Sequence, residues 1–315
     1  MTRSILELTG DDRIPFLQGL LTQDVTKLSE ARIQFAALLS PQGKILHDMF
    51  LVATGATILI DTPSVHAATL IKRLSMYKLR AKVAIRDVSA EWQVTLGDGG
   101  LPDPRHAALP WRRYIHSPIG GGLGWGLPRS QSSDSSAPLP ASPRWGEELP
   151  SPQPPAPSPL SLGIPDSTTD FAPDDITAMD AGYDLLHVIS FTKGCYVGQE
   201  VTARMHYKNI ARKGFFLVEG DAPLQPGAAL IIGDKTVGNL RGGSCHPEQS
   251  EGSPSLARDS SLKAQNNTFQ ALAFLKFEDA LSGAPAAVDN LPVRIVTPDW
   301  MRPKIAQYEA AANTQ

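Results

Sequence analysis

The chain is poor in cysteine, in aromatic residues and in long apolar runs, and each shortage removes a class of protein. It holds 2 cysteines among 315 residues, Cys195 and Cys245, and neither has a partner at metal-ligand spacing. A disulfide framework is thereby excluded, and a cytosolic (cytoplasmic) location is expected from the reducing environment two free thiols imply. No apolar run reaches the ~18 residues needed to cross a bilayer, so no membrane partner is expected. The opening Met1-Thr2-Arg3-Ser4-Ile5-Leu6-Glu7 lacks the apolar stretch of a secretory signal. Charge of one sign is missing too. The 29 basic and 32 acidic residues leave a net charge of −3, which gives no whole-protein attraction for nucleic acid. Neither G-x-x-x-x-G-K-[ST] nor G-x-G-x-x-G occurs, so a nucleotide-phosphate cradle has no support, and no G-x-S-x-G elbow points to a hydrolase.

Proline, by contrast, is abundant and unevenly spread. Of 27 prolines, 11 fall between Pro118 and Pro159. A stretch of this composition cannot bury enough apolar surface to offset the entropy of ordering it. Residues 117–162 are therefore expected to be a Pro/Ser/Gly-rich insertion, and residues 243–264, equally without periodicity, a second. Loop-closure entropy rises only slowly with length, so a surface site can host both. The remaining chain divides into an α/β body, 1–116 with 163–212, and a C-terminal domain, 213–310, interrupted near 243–264.

Within the body, Asp11–Leu20 reads as a short helix, and Ile33–Leu39, Ile45–Ala53 and Thr57–Ile60 read as strands separated by turn residues. Pro63 is expected in the first turn of a helix running through Leu74. Strands near Val83–Val88 and Trp92–Leu96 follow. After Lys213 the pattern becomes β-rich: Gly214–Glu219, Ala229–Ile232, Thr236–Leu240, Ala271–Phe277 and Val293–Val296. These predict a small antiparallel barrel.

One segment carries chemistry: Phe191-Thr192-Lys193-Gly194-Cys195-Tyr196-Val197-Gly198-Gln199-Glu200-Val201-Thr202-Ala203-Arg204. Two glycines bracket the cysteine and permit tight turns and close approach. Good helix formers begin after Gly198, with Glu200 in the first turn and Arg204 four residues on. Cys195 is then expected just ahead of a helix N-terminus, with Lys193 two residues away, and positive potential from both favours a thiolate. The residues alone leave a buried structural cysteine as the alternative. His47-Asp48 could be an acid/base pair, although an exposed hairpin is the simpler reading. His206 is the histidine nearest the signature and a candidate metal ligand beside Cys195. Arg204, His206, Lys208, Arg212 and Lys213 form a basic run, either a solvated face or an attraction for an anionic ligand or acidic partner.

The string Lys193-Gly194-Cys195-Tyr196-Val197-Gly198-Gln199-Glu200 resembles the K-G-C-Y-x-G-Q-E signature of YgfZ-type folate-binding proteins, relatives of the glycine-cleavage T-protein. Gln18-Gly19-Leu20-Leu21-Thr22-Gln23-Asp24-Val25 is similar to that family's Q-G-x-x-T-x-D-V. Ser40-Pro41-Gln42-Gly43-Lys44 is similar to its P-x-G-K turn. Where the T-protein has an E-A-G element, this chain has Ser161-Leu162-Gly163. The resemblance implies an α+β, T-protein-like ring of subdomains with ferredoxin-like α/β portions and a C-terminal antiparallel β-barrel, around a hole that can hold tetrahydrofolate. It further implies an accessory factor for assembly or repair of iron–sulfur proteins, mainly [4Fe–4S], more than a turnover enzyme. Cys195 would be the required thiol and a transient cluster ligand. Lys193, Tyr196, Gln199, Glu200 and Arg204, with Gln18 and Asp24 on the facing element, would shape the cofactor site. The expected partners are iron–sulfur assembly or client proteins and folate, with neither membrane nor nucleic acid. The alternatives are a folate-dependent aminomethyl transferase and a tRNA-modification accessory protein.

Overall fold

Five antiparallel strands make the first sheet, in the order β2-β3-β4-β1-β5. They are β1 (Arg3–Thr9), β2 (Gln34–Leu39), β3 (Ile45–Thr54), β4 (Thr57–Pro63) and β5 (Ala84–Asp87), with α1 (Arg13–Gln18) and α2 (Ser64–Lys78) between them. The computed structural model describes residues 2–97, 99–117, 156–208, 211–242 and 268–312. Residues 243–264 with Cys245, and all but the ends of 117–162, lie outside the described residues.

Both faces of this sheet are covered, which is why β2 is buried at every position. Side chains alternate along a strand, and the two faces feed two cores. Phe35, Ala37 and Leu39 of β2, with Ile5, Phe50 and Leu59, join one cluster. Ala36 and Leu38, with Leu6, Met49, Ile58 and Ile60, join the other, where Leu17 of α1 and Ala67, Leu70 and Leu74 of α2 cover them. Pro63 ends β4 and caps α2, which begins at Ser64. The proline thus stands one residue ahead of the helix's first turn, not within it as expected.

A hairpin of β6 (Trp92–Gly97) and β7 (Trp111–His116) packs against the first cluster. The chain then runs largely without regular structure from 163 to α3 (Gln199–Lys208). Leu160 and Leu162 already pack on the core, and Trp300 Nε1 donates to the Leu162 carbonyl at 2.9 Å. Residues 160–162, expected as the end of the first insertion, thus form a short 3-10 turn against the core.

The C-terminal part is the predicted barrel. It closes six antiparallel strands in the order β10-β11-β8-β13-β12-β9. These are β8 (Lys213–Gly220), β9 (Ala229–Ile232), β10 (Lys235–Arg241), β11 (Phe269–Lys276), β12 (Ala286–Val288) and β13 (Leu291–Val296), followed by α5 (Arg302–Ala312) after a short α4 (Phe277–Ala280). Phe216 and Val218 of β8 join the barrel's own core, while Phe215 and Leu217 point the other way into the cluster shared with the first sheet. One strand thereby serves two cores.

Candidate functional site

The signature loop is built onto the first sheet by steric necessity at Gly198. Its φ is +84°, and a Cβ there would sit 2.6 Å from the Ser40 carbonyl oxygen and 2.9 Å from Leu39 Cβ. Gly43 answers from the other side, with a φ of +76° and the Val201 and Thr202 side chains 3.3 and 3.4 Å from where its Cβ would be. The Ser40–Lys44 turn and the signature, two separate motifs in the sequence, are thus one joint. The two residues after the thiol plug opposite cores: Tyr196 packs in the first cluster and Val197 against the second. Gln199 opens α3 and its Oε1 accepts the Tyr196 amide at 3.3 Å. Burial pushes the Tyr196 phenol up to about 12.

Lys193 is buried, and its ammonium donates to the carbonyls of Gln18 (2.7 Å), Leu21 (2.5 Å) and Gln23 (2.9 Å) at and just beyond the end of α1. All three donors of the ammonium are thereby used. Burial lowers its pKa to about 8, while Asp24 acts in the opposite sense. The segment that receives it is itself stapled. Gln18 Nε2 donates to Asp24 Oδ1 at 3.0 Å and Gln18 Oε1 accepts the Val25 amide at 2.8 Å. Asp24 also accepts from Thr26 and pairs with Lys27, and the Thr26 hydrogen bond leads in lowering its pKa. Lys193, Gln18 and Asp24 therefore do come together, but as a knot joining the signature to the N-terminal element. The charge expected beside Cys195 is committed to that knot.

Cys195 is exposed, and it follows Gly194, around which a Cβ would meet nothing within 4 Å. Gly194 is not needed for a tight turn; it leaves open space next to the thiol. Glu200 and Arg204 form an exposed i,i+4 pair at 3.2 Å, of the kind worth only a few tenths of a kcal/mol. The ring of His206 stacks on Phe191, with centroids 3.7 Å apart.

The expected exposure of His47-Asp48 is overturned. Both are buried in β3 and face opposite sides of the sheet. Asp48 accepts from Tyr183 (2.6 Å) and Ser167 (2.7 Å), and burial raises its carboxyl pKa against those two bonds. On the same side Asp61 accepts from Arg3 (2.6 Å), Arg112 (3.2 Å) and Tyr114 (2.8 Å). His47 has a buried Nδ1 without a partner among the described residues, and burial holds its ring at a pKa of about 4. This polar interior was missed in the sequence; the one signal was a His-Asp pair inside an otherwise apolar strand. Beside it lies an open cavity of about 300 Å³, lined by Arg32, Ile33, Pro102, Asp103, Pro104 and His187. Asp103 is already bound by Arg105 at 2.8 Å and Arg112 at 3.3 Å.

No family model matches the chain. Its sequence is 30% identical over 271 residues to the mouse mitochondrial iron–sulfur cluster assembly factor IBA57, covering 78% of this chain and 74% of the relative. The human IBA57 is 29% identical over 266 residues, with 76% and 72% covered. The chain belongs to the IBA57 family of iron–sulfur cluster assembly factors. Its fold is that of the glycine-cleavage aminomethyltransferases. The crystal structure of aminomethyltransferase T from Bartonella henselae aligns with a TM-score of 0.63 over 95% of this chain and 84% of that one, at 11% identity. These IBA57 relatives are mitochondrial proteins, which corrects the expected cytosolic location. A chain with so few cysteines speaks for a reducing environment and does not say which one. The tRNA-modification alternative gains no support from these relatives.

Proposed function

We propose that the chain is a folate-binding accessory factor for the assembly or repair of iron–sulfur proteins, mainly [4Fe–4S], with Cys195 as the reacting thiol. The observation that carries this reading is an exposed thiol on a loop anchored at both ends. Lys193 holds one flank through three carbonyls and Gly198 seats the other against Ser40. An immobilised, solvent-facing thiol suits brief ligation of a cluster in transit. One cysteine cannot hold a cluster alone, so further ligands come from the assembly or client protein that delivers or receives it.

Folate fits the 300 Å³ cavity in kind. Ile33, Pro102 and Pro104 offer apolar walls to a ring, and Arg32, which makes no ion pair among the described residues, offers a cation to a carboxylate. Folate would supply a one-carbon carrier. Arg32 and the walls would bind and orient it, whereas Asp103, neutralised by Arg105 and Arg112, would hold the wall in place.

The test is replacement of Cys195 by serine in cells lacking the endogenous factor. [4Fe–4S] enzyme activities are expected to stay low, with the variant folded and as stable as the wild type. Restored activities would remove Cys195 from the mechanism. Tetrahydrofolate titration of both proteins under anaerobic conditions separates the two roles: equal saturable binding is expected, and none in either protein would remove folate from the proposal.

A further inference from the structure

A second cavity, of about 160 Å³, opens on the wall of the barrel, lined in part by Lys213, Lys235, Lys276, Phe274 and Asp279. Antiparallel pairing brings the start of β8, the end of β11 and the start of β10 to one end of the barrel. Lys213 and Lys276 are register partners, so two ammonium groups rise from directly opposite positions, an arrangement that destabilises a strand pair. Lys235 adds a third cation. Two of the three are partly neutralised, Lys235 by Asp279 at 2.8 Å and Lys276 by Glu278 at 3.3 Å. Lys213 makes no ion pair among the described residues. Its ammonium stands 5.8 Å from the centroid of the Phe274 ring and acts on half-buried Asp180 only through space.

We propose that this cavity is a binding site for a small multivalent oxyanion, a phosphate ester or a dicarboxylate, held by Lys213, Lys276 and Lys235 against Phe274. An anion placed there relieves the opposed charges and gains hydrogen bonds from ionised donors, which are about twice as strong as neutral ones. Its size is set by the volume, since a cavity of ~150 Å³ takes up a benzene-sized molecule. The site is independent of thiol chemistry at Cys195.

Thermal unfolding and calorimetric titration of the full chain at fixed ionic strength test it, with pyrophosphate and succinate as probes. Saturable binding of at least one probe and a matching rise in Tm are expected for the wild type. Lys213→Gln should weaken that binding about tenfold or more. In ligand-free, low-salt buffer it should be no less stable than the wild type, because it removes an opposed charge. Lys276→Gln should behave alike, which guards against one poorly folded variant. Pyrophosphate binding alone assigns a phosphate ester, and succinate binding alone a dicarboxylate. No binding of either probe, an equal rise in Tm in all three proteins, or a marked loss of ligand-free stability in both variants overturns the proposal.

Discussion

Replacing Lys193 with methionine separates a structural post from a ligand-facing one. Methionine keeps most of the apolar stem and removes the ammonium, leaving three carbonyls without their donor. Only the bond to the Leu21 carbonyl is wholly buried; those to Gln18 and Gln23 are partly so, and water can replace the lysine there. An orphaned buried acceptor costs about 1–3 kcal/mol, and a hydrogen bond to a charged group contributes about 1.5–3 kcal/mol. Against this, methionine spares the desolvation of a buried charge, an offset of several kcal/mol at full burial and less at a rim that water reaches. The balance gives an expected loss of about 2–4 kcal/mol, in the range for a broken buried network. Urea unfolding followed by tryptophan fluorescence and far-UV circular dichroism reads that loss. Hydrogen exchange should show amides 18–25 opening first, because the lysine closes that segment. A loss below ~0.5 kcal/mol together with impaired ligand binding would refute the reasoning and make Lys193 a ligand-facing residue.

The two signature glycines should differ sharply. Gly198→Ala combines a left-handed φ with a 2.6 Å overlap on the Ser40 oxygen, and about 3 kcal/mol of lost stability is expected, whereas Gly194→Ala should stay within about 0.5 kcal/mol in the same urea assay. His47 supplies a pH test. Its folded pKa of about 4 lies below the ordinary 6.5, so the unfolded chain takes up a proton that the buried ring refuses. Stability from this residue is complete above pH 6.5 and is lost as pH falls towards 4, by up to about 3 kcal/mol. Asp170, raised to about 6 by burial, has the opposite slope between its ordinary 3.8 and 6, so the readout is the difference between the wild-type and His47→Gln profiles. Parallel profiles would show that His47 does not titrate as described.

Strands and barrel were legible because alternation and turn residues are local signals. β2, β3, β8 and β11 fall close to their predicted spans. What escaped is long-range. β7 carries two consecutive arginines and does not read as a strand, yet Arg112 is buried because Asp61 meets it from 51 residues away. β1 mixes Arg3, Ser4 and Glu7 with Ile5, Leu6 and Leu8 without strict alternation, and its apolar residues become core because β4 and β5 flank it. His47 and Asp48 looked exposed because an antiparallel sheet commonly wets one face. Here helices cover one face and the segment 163–190 and the barrel cover the other.

The candidate site shows the same division at finer scale. Proximity in sequence placed Lys193 beside the thiol, whereas a flexible four-carbon stem let its ammonium reach carbonyls 170–175 residues away. Across the eight-residue signature, Lys193, Tyr196, Val197, Gly198 and Gln199 each have a holding contact with the body of the protein or the turn of the loop. Gly194, Cys195 and Glu200 are exposed, and Glu200 pairs with its helical neighbour Arg204. A motif of this kind is therefore mostly a mount, and reading every member as a ligand contact overstates the site. What the mount presents is one exposed thiol beside a glycine whose added Cβ would meet nothing within 4 Å, and the proposed exchange with a partner protein rests on that arrangement.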